Sequence, residues 1–375
     1  MNYCKLEALC RIQYGFPFDS KLFNEEKGTP LVRIRDVVRG VSETYTTETA
    51  KNEYLIQKDD ILIGMDGEFN VAKWKSGPAY LNQRVCKIIP IQDTDKDYLF
   101  HFLPVALKQI EEATPFVTVK HLSAKALASI VVPFPEAGIR TRISSSLNTI
   151  RDLLELRKSQ LKKIDQLASS RFVEMFGNFR ERRQFKEFNF EDVCELITDG
   201  EHNTPRRVSH GIYLLSARNV MNHSIQLDDV DYIDLEEYNR IGKRIVPSAG
   251  DVLVSCSGSV GRCCVVPSGL HFQMVRSVAL LRFNQNVNPT FAEWLILSSE
   301  IQNQIKNSMT QSSQANLFQG KIKKLHGFFP PLSLQNEFAA FVEQLDKSKV
   351  VVKKQQKTLE IIPHSDILSW RLSAL

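Results

Sequence analysis

The sequence predicts an α+β protein in which one α/β domain occurs twice, with a long helix after each copy. The first observation is that strand-like segments separated by turn residues fill residues 1–137. The second is that these segments recur, in the same order, about 190 residues further along the chain. The third is an uninterrupted helical pattern over residues 139–176. A duplicated domain with a long helix after each copy accounts for all three.

The overall composition is that of a soluble globular protein of two or three domains. The chain has 375 residues, of which 43% are hydrophobic and 24% are charged, and its formal net charge is +5. That charge is compatible with a nucleic-acid partner but does not require one. No apolar run approaches the roughly 20 residues of a membrane span, and residues 1–10 lack the apolar core of a secretory signal. We therefore expect a cytoplasmic protein without membrane contact, whose seven scattered cysteines are reduced.

The first domain is predicted over residues 1–137 and is rich in strands. Apolar and polar residues alternate in 29–40, and 59–74 is typical of two strands joined by a glycine-containing turn. A further strand is predicted over 83–90, and a short helix follows at about 98–112. A polar segment and a last short apolar strand then lead into the long helix.

The long helix is predicted over residues 138–177. Neither proline nor glycine interrupts residues 139–176, and Gly177 provides a stop signal. Apolar residues recur at steps of three and four, the spacing of a coiled-coil seam; they include Ile143, Leu147, Ile150, Leu154, Leu161 and Ile164. Arg157 and Arg171 fall on the same seam, which favours a partner helix that lets their charged ends reach water. The alternative is an ordinary long surface helix.

The second half repeats the first half block by block. Corresponding positions carry the same or similar residues, as in the pairs Arg35 and Arg218, Asp36 and Asn219, Asp60 and Asp251, and Gly67 and Gly258. The segment 291–305 repeats the short helix of the first half. A chance match that keeps this order over five blocks is improbable, so we infer an internal duplication.

The duplication places a second domain at residues 178–332 and a second long helix with a tail at 333–375. The apolar stripe of this helix consists of Phe338, Val342, Leu345, Val352 and Leu359. Pro363 is predicted to end the helix, because proline lacks a backbone N–H and disfavours the helical turn before it. The last residues then form a short apolar tail.

Catalytic signatures are missing from the sequence. It contains no GxxxxGK phosphate loop, no HExxH and no GxSxG. The segment NPTF at 288–291 has some likeness to an adenine methyltransferase loop, but Pro289 and Thr290 ahead of an apolar run indicate a helix start instead. The histidines are not spaced as metal ligands. We therefore predict no catalytic residue and no metal site.

Polar loops at corresponding places in both copies are the best candidates for function. Gln and Asn can contact adenine edges, Arg can contact guanine, and Lys, Arg and Ser can contact phosphates. In the first copy the candidate DNA-binding residues are Arg33, Arg35, Asn70, Lys73, Gln83, Arg84 and Lys120. In the second copy they are Arg206, Arg207, Arg218, Asn219, Ser257, Ser259, Arg262, Gln273, Arg276, Gln311, Ser312, Gln314, Asn316, Lys321 and Lys323. The alternative for each residue is a solvated polar loop.

Within the duplication, the segments LVRIRDV and LLSARNV correspond, as do DILIGMDG and DVLVSCSGSVG, and the second copy ends with SQANLFQGKIKKL and FFPPLSLQNEFAAFVEQLD. In these segments, and almost from end to end, the chain resembles the specificity (S) subunits of type I restriction–modification systems. The first copy departs from the family pattern in two places: its glycine-rich hairpin is GMDGEFNVAKW, and its Pro-Pro-Leu-x-x-Gln segment has become VPFPEAGIRTRI.

The resemblance implies two target-recognition domains, each of which reads one half of a bipartite DNA site. It implies that the two long helices pair antiparallel as a coiled coil, set the spacer between the half-sites, and dock two methyltransferase (M) subunits. S-adenosylmethionine would be bound by the M subunits, and ATP and magnesium by a restriction (R) subunit. The chain itself would hold no cofactor.

Two other classes of function are considered. A single-chain methyltransferase or nuclease fused to a recognition domain would bind a methyl donor or turn over substrate alone, and the missing motifs argue against it. A coiled-coil adaptor without a nucleic-acid role would retain its protein partners but bind no DNA in any assembly.

Overall fold

The computed structural model describes residues 2–113, 120–177, 185–309 and 316–372, with side chains up to residue 361. The chain divides into two compact units. The first consists of Met1–Arg157 and Gln355–Leu375, and the second consists of Lys158–Lys354. Each unit has its own hydrophobic core, as the duplication predicts.

In its described residues, the first unit contains short strands and three α-helices, followed by the beginning of the long helix. The elements are β1 (Tyr3–Lys5), β2 (Cys10–Tyr14), β3 (Phe23–Asn24), β4 (Thr29–Val32), α1 (Ile34–Arg39), β5 (Tyr45–Thr46), β6 (Leu55–Ile56), β7 (Ile61–Gly64), β8 (Val71–Lys73), β9 (Ala79–Leu81), β10 (Val85–Pro90), α2 (Lys96–Ala113), α3 (Ala124–Ala128), β11 (Val131–Pro133) and α4 (Ala137–Phe176).

Strand β7 lies inside an antiparallel sheet of order β2-β10-β7-β8. Its residues are buried on both faces: Ile61 and Ile63 pack with α2, whereas Leu62 packs with Val32 and Trp74. This follows from the alternation of side chains along a strand. A second sheet, of order β3-β5-β4-β9-β6, contains the parallel pair β4 and β9. Strand β1 pairs with β11, just ahead of the long helix.

The second unit repeats this plan. Its elements are β12 (Lys186–Asn189), α5 (Phe190–Val193), β13 (Cys194–Asp199), β14 (Ile212–Leu215), β15 (Val220–Met221), β16 (Ser224–Ile225), β17 (Asp231–Ile233), α6 (Leu235–Gly242), β18 (Val252–Ser255), β19 (Cys263–Val265), β20 (Phe272–Met274), β21 (Val278–Phe283), α7 (Pro289–Ile296), α8 (Ser299–Ser308), α9 (Gln319–Lys323), β22 (His326–Phe329) and α10 (Leu332–Leu372).

The sheet topology confirms the duplication. The order β13-β21-β18-β19 reproduces β2-β10-β7-β8, the parallel pair β14 and β20 reproduces β4 and β9, and β12 pairs with β22 as β1 pairs with β11.

One detail of the prediction for the second unit is wrong. The single helix expected over 291–305 is broken into α7 and α8, because Ser298 is extended and its hydroxyl accepts a hydrogen bond from the Ile301 N–H.

The first long helix, α4, closely matches its predicted range of 138–177. Gly177 ends it with φ +75°, and its N–H donates to the Val173 carbonyl at 2.7 Å. The second long helix, α10, begins at Leu332 but continues through Pro363 to Leu372, so the predicted stop at Pro363 is wrong. A proline removes one backbone donor from the helix, and here the helix continues on both sides of it.

Within the second unit, the end of α4 packs antiparallel against the start of α10. Arg171 contacts Glu337 at 3.0 Å, and Asp165 contacts Lys349 at 2.9 Å. The contact made by the later residue of α4 is with the earlier residue of α10, so the two helices run in opposite directions. No helix among the described residues is long and apolar enough to cross a membrane.

The predicted seam residues take part in the domain cores as well as in the helix pair. Phe338 and Val342 are buried in the core of the second unit together with Phe172 and Phe176 of α4, and Leu345 packs against this core. Ile143 packs against the core of the first unit, and Leu147 is buried in that unit, so the pairing role assigned to Ile143 is corrected. The first turns of each long helix cover the domain that precedes the helix. The other seam residues are half-buried: Ile150, Leu154, Leu161, Ile164, Val352 and Leu359.

Candidate nucleic-acid interface

Four loop segments of the second unit are joined by backbone hydrogen bonds at one end of its antiparallel sheet. The turn after β18 meets the segment before α9, where the Leu317 N–H donates to the Cys256 carbonyl at 2.9 Å. The loop after β13 meets the turn after β20, where the Glu201 N–H donates to Met274 and the Arg276 N–H donates to the Glu201 carbonyl at 3.0 Å. Loops that are distant in sequence therefore form one continuous surface.

These loops enclose an open cleft of about 840 Å³. Its lining is mostly polar and contains both signs of charge. The lining includes Asp199, Glu201, His202, Asn203, Thr204, Arg207, Ser257, Arg276, Ser277, Asn316 and Gln319. Hydroxyl, amide, imidazole and guanidinium groups in one groove can contact base edges and phosphates.

The first unit has the same arrangement of backbone hydrogen bonds. The Leu122 N–H donates to the Met65 carbonyl at 2.7 Å, as Leu317 does to Cys256. The Gln83 N–H donates to the Phe16 carbonyl at 3.0 Å, as Arg276 does to Glu201. The bridge between Asp66 and His121 likewise corresponds to the bridge between Ser257 and Asn316.

The side chains on this shared backbone differ between the copies. The hydrogen bonds and bridges put Gln83 in the place of Arg276, Arg84 in the place of Ser277, Asp66 in the place of Ser257, and His121 in the place of Asn316. Each exchange alters the pattern of hydrogen-bond donors and acceptors. The two units thus present different chemistry from the same framework.

A glycine makes the close approach of two loops possible in each copy. A Cβ atom on Gly15 would lie 2.1 Å from the Asn82 carbonyl oxygen, and one on Gly200 would lie 2.2 Å from the Met274 carbonyl oxygen. Neither position has room for a side chain. The sequence reading did not single out these two glycines, although comparison of the two copies around β2 and β13 could have found them.

Asp199, at the cleft, contacts two basic side chains. Its carboxylate contacts His202 Nε2 at 2.9 Å and Arg244 Nη2 at 2.8 Å. Burial tends to raise the pKa of Asp199, but the hydrogen bonds from Arg244 and His202 outweigh it and lower that pKa below its usual value. Asp199 therefore carries a negative charge at neutral pH and holds His202 at the cleft.

Four predicted DNA-binding residues of the second copy line the cleft: Arg207, Ser257, Arg276 and Asn316. Among the described residues, the side chain of Arg276 is exposed and has no ion-pair partner. Arg207 is paired with Asp231 at 3.0 Å, and Arg218 contacts the same carboxylate at 3.1 Å. DNA binding by these two arginines would have to compete with an acidic partner.

Two predicted contacts of the second copy are buried away from the cleft. Asn219 is 1% exposed; its side chain caps the turn at Ser216 and donates to the carbonyls of Gln226 and Asp229. Gln273 is fully buried and donates to a backbone carbonyl. These two assignments are corrected, because DNA could reach neither side chain without unfolding the domain.

Arg262 and Arg206 point elsewhere. Arg262 pairs across the β18–β19 hairpin with Ser255, and its guanidinium lies 3.1 Å from the Met221 sulfur in a separate groove. Arg206 forms ion pairs with Asp234 and Glu236 beside α6. Both therefore lie outside the 840 Å³ cleft.

One assignment in the first copy is also corrected. Lys73 forms a short ion pair with Asp97 of α2, and its ammonium lies 5.0 Å from the centre of the Phe100 ring. It therefore serves the packing of β8 against α2. Arg33 and Arg35 line a groove of about 600 Å³, in which Arg35 donates to Thr44. Gln83 and Arg84 are exposed.

The remaining predicted residues are distributed around these loops. Asn70 and Lys323 are half-buried, Ser259 and Lys321 are exposed, and the Lys120 ammonium donates to the Glu111 carbonyl. Gln311, Ser312 and Gln314 lie outside the described residues. No group of three His, Cys, Asp or Glu side chains within the described parts of the chain is arranged to hold a metal ion.

Comparison with known proteins identifies the family. The family model described as "Type I restriction modification DNA specificity domain" matches residues 1–166 and again residues 183–361. The chain is 29% identical over 381 residues to the type I restriction enzyme EcoBI specificity subunit of Escherichia coli, covering 93% of this chain and 80% of that protein.

Solved structures agree with this assignment at the level of the fold. The S subunit of a type I restriction–modification system from M. genitalium matches with a TM-score of 0.58 and 13% identity, over 97% of this chain and 94% of that one. A structure concerned with complex assembly and conformational transition of the type I R-M system matches with a TM-score of 0.54 and 14% identity, over 97% and 95% of the two chains. The chain therefore belongs to the type I restriction–modification DNA specificity family, whose domain it contains twice.

Proposed function

We propose that this chain is the DNA-reading subunit of a type I restriction–modification enzyme, and that each of its two domains reads one half of a bipartite site. The observation that carries the proposal is the shared backbone framework with exchanged side chains. A reader of two different half-sites needs the same geometry twice, with different donors and acceptors at the base edges.

The chemistry of the two surfaces supports different half-sites. In the second domain, the Arg276 guanidinium is suited to the two acceptors of guanine, and the Asn316 amide to the paired donor and acceptor of adenine. In the first domain, the turn after β9 supplies an amide at Gln83 and a guanidinium at Arg84, in the places of Arg276 and Ser277. Arg33 and Arg35 add positive charge suited to phosphates.

The long helices are proposed to set the spacer between the half-sites and to dock two M subunits. Their antiparallel contacts in the second unit, and their exposed basic and apolar side chains, suit a spacer that also offers a protein-binding face. In this proposal the M subunits bring S-adenosylmethionine, and an R subunit brings ATP and magnesium. This chain would work in the cytoplasm as a non-catalytic component.

The experiment that tests the proposal is methylation mapping across a genome in cells that express this chain with its M subunit. We expect one methylated motif made of two fixed half-sites separated by unspecified bases. The Arg276→Ala variant should relax one half-site and leave the other fixed. A continuous methylated motif, or a purified complex that shows no preference among duplexes, would contradict a two-domain reader.

A further inference from the structure

We propose that Asp66, His121 and Arg84 act as one reading unit of the first domain, in which the Asp66 carboxylate positions the other two side chains toward DNA. The inference rests on the proposed function and deepens it for one half-site. His121 Nδ1 lies 2.5 Å from Asp66 Oδ1, and Arg84 Nη1 lies 3.1 Å from Asp66 Oδ2. One carboxylate thus contacts two side chains from two different loops.

The backbone holds these three residues in place from both sides. The Gly67 N–H donates to the Lys120 carbonyl at 2.8 Å, and the Leu122 N–H donates to the Met65 carbonyl at 2.7 Å. These bonds flank Asp66 and His121 and fix the two loops against each other. The Met65 N–H also donates to the Arg84 carbonyl at 3.0 Å, which ties the third residue to the same hairpin.

The exposure of the three side chains matches the division of roles. Asp66 is only 18% exposed, whereas His121 is 52% exposed and Arg84 is 56% exposed. The carboxylate lies below the surface, and the imidazole and the guanidinium stand at it. An exposed arginine or histidine normally samples several rotamers, so a shared acceptor beneath both reduces the entropy lost when DNA binds.

The contact with Asp66 also determines which atom of His121 faces outward. A carboxylate oxygen accepts hydrogen bonds, so Nδ1 must carry the hydrogen in this contact. When the ring is neutral, Nε2 is then a hydrogen-bond acceptor. In the major groove an acceptor is complementary to the amino group of adenine or cytosine, whereas the Arg84 guanidinium is complementary to guanine or a phosphate. The unit is thus suited to an amino-bearing base next to a guanine or a phosphate.

The second domain lacks this unit. The equivalent positions are Ser257, Asn316 and Ser277, none of which carries a charge. The charge-coupled arrangement is therefore a property of the first half-site alone, and Ser257→Ala is a matched control for changes at Asp66.

The test is a set of mutant cycles on the full chain assembled with its M subunits. The dissociation constant is measured for the cognate duplex, for duplexes altered in the first half-site, and for duplexes altered in the second. The variants are Asp66→Ala, Asp66→Asn, His121→Ala, Arg84→Ala and the combinations of these, with Ser257→Ala as the control. Thermal unfolding of every variant is recorded.

We expect Asp66→Ala to weaken binding to the cognate duplex by roughly 10- to 100-fold and to reduce discrimination at the first half-site only. Added to the His121→Ala/Arg84→Ala double variant, the same change should cost less than about threefold, because no side chain is left to position. Asp66→Asn keeps an acceptor for His121 and should recover part of the discrimination. Ser257→Ala should affect the second half-site only.

Two results would overturn the inference. One is an Asp66→Ala effect of equal size in the wild-type and double-variant backgrounds, since that would make Asp66 an independent contact or a structural residue. The other is an equal loss at both half-sites. If the wild-type complex itself showed no sequence preference, the proposed function would fail, and that outcome is distinct from either of these.

Discussion

At the level of single residues, positions shared by the two domains divide into those that keep a structural role and those that do not. Asp60 and Asp251 keep theirs: each accepts a backbone N–H of the preceding turn and pairs with a basic residue on the neighbouring strand, Lys87 or Arg282. The loop positions occupied by Gln83 and Arg276 share backbone bonds only. The first class maintains the framework, and the second is free to change what is read.

Arg276 provides the most direct test of base contacts in the second domain. Its side chain is exposed in the cleft while its backbone N–H is fixed to Glu201. We expect Arg276→Ala to weaken binding by about 1–3 kcal/mol, and only for duplexes with an intact second half-site. Titration of duplexes altered in one half-site at a time measures this. Gln83→Ala, at the equivalent position, should affect the first half-site, and identical profiles for the two variants would refute separate reading.

Asn219 should instead prove to be a stability residue. Its buried amide makes hydrogen bonds to backbone groups on both sides of the β15–β16 region. Asn219→Ala would leave buried backbone groups unpaired and should lower the free energy of unfolding by about 1–3 kcal/mol. Chemical denaturation measures the loss, with exposed Asn222→Ala as a near-neutral control. An unchanged unfolding midpoint together with weaker DNA binding would restore the DNA-contact assignment.

Residue type alone could not separate Asn219 from Arg276. An asparagine or glutamine in a polar stretch can cap a turn or read a base, and the choice depends on whether the side chain is buried. The sequence contained one usable signal: Asn219 aligns with Asp36, which caps the turn at Arg33. Gln273 lies between Phe272 and Met274 in β20, so its side chain points to the opposite face of the strand from theirs. All three are buried because both faces of β20 are covered.

At the level of secondary structure, the long helices were predictable and their attachment to the domains was not. The spacing of apolar residues and the stop at Gly177 define α4 from local sequence. By contrast, Asn148 on α4 accepts from His101 and donates to Asp97 of α2, which also binds Lys73. Such a network joins residues far apart in sequence, so local patterns carry no trace of it.

This network predicts a pH-dependent stability of the first unit. Burial lowers the pKa of His101, although the hydrogen bond with Asn148 partly opposes the shift. A lowered folded-state pKa means that the unfolded chain binds the proton more readily. The stabilising contribution of neutral His101 is therefore fully present above the unfolded-state pKa of about 6.5. It is lost as the pH falls through the lower pKa of the folded state.

We expect the thermal unfolding midpoint to fall between pH 7 and pH 5 by more in the wild type than in His101→Gln, which keeps a donor for Asn148 but does not titrate. Scanning calorimetry at several pH values measures the difference. His210→Gln, in an exposed loop, is the control and should keep the wild-type slope. Equal slopes for the wild type and His101→Gln would show that His101 does not contribute.

Packing between α4 and α10 depends on an aromatic cluster. The rings of Phe172 and Phe176 lie 5.2 Å and 5.7 Å from that of Phe338, which is fully buried. Phe338→Ala should destabilise the second unit by about 3–5 kcal/mol, because it removes a ring from a closed core. Denaturant unfolding measures this loss. Val350→Ala, on an exposed face of the same helix, should cost little, and a comparable loss there would contradict the assignment of the core.

At the level of the whole chain, the duplication was predictable because five blocks kept their order. The reading surfaces were not, because their loops are brought together by sheet topology and by backbone hydrogen bonds between residues far apart in sequence. The structure also bears on the net charge of +5, which the sequence analysis found compatible with a nucleic-acid partner. Arg206, Arg207 and Arg218 all pair with acidic side chains. We infer that part of the phosphate attraction is already balanced within the protein.

The last prediction concerns the distance between the half-sites. Each base pair added between them separates them by about 3.4 Å and rotates one against the other by about a tenth of a turn. Two domains on one pair of helices should therefore favour a single spacer length.

We expect affinity to peak at one spacer and to fall at least tenfold when the spacer changes by two or more base pairs, because one domain then loses its half-site. Competition binding with a duplex series measures this, and duplexes carrying one half-site give the baseline. Equal affinity across the series would show that the domains bind independently and that the helices do not set the spacer.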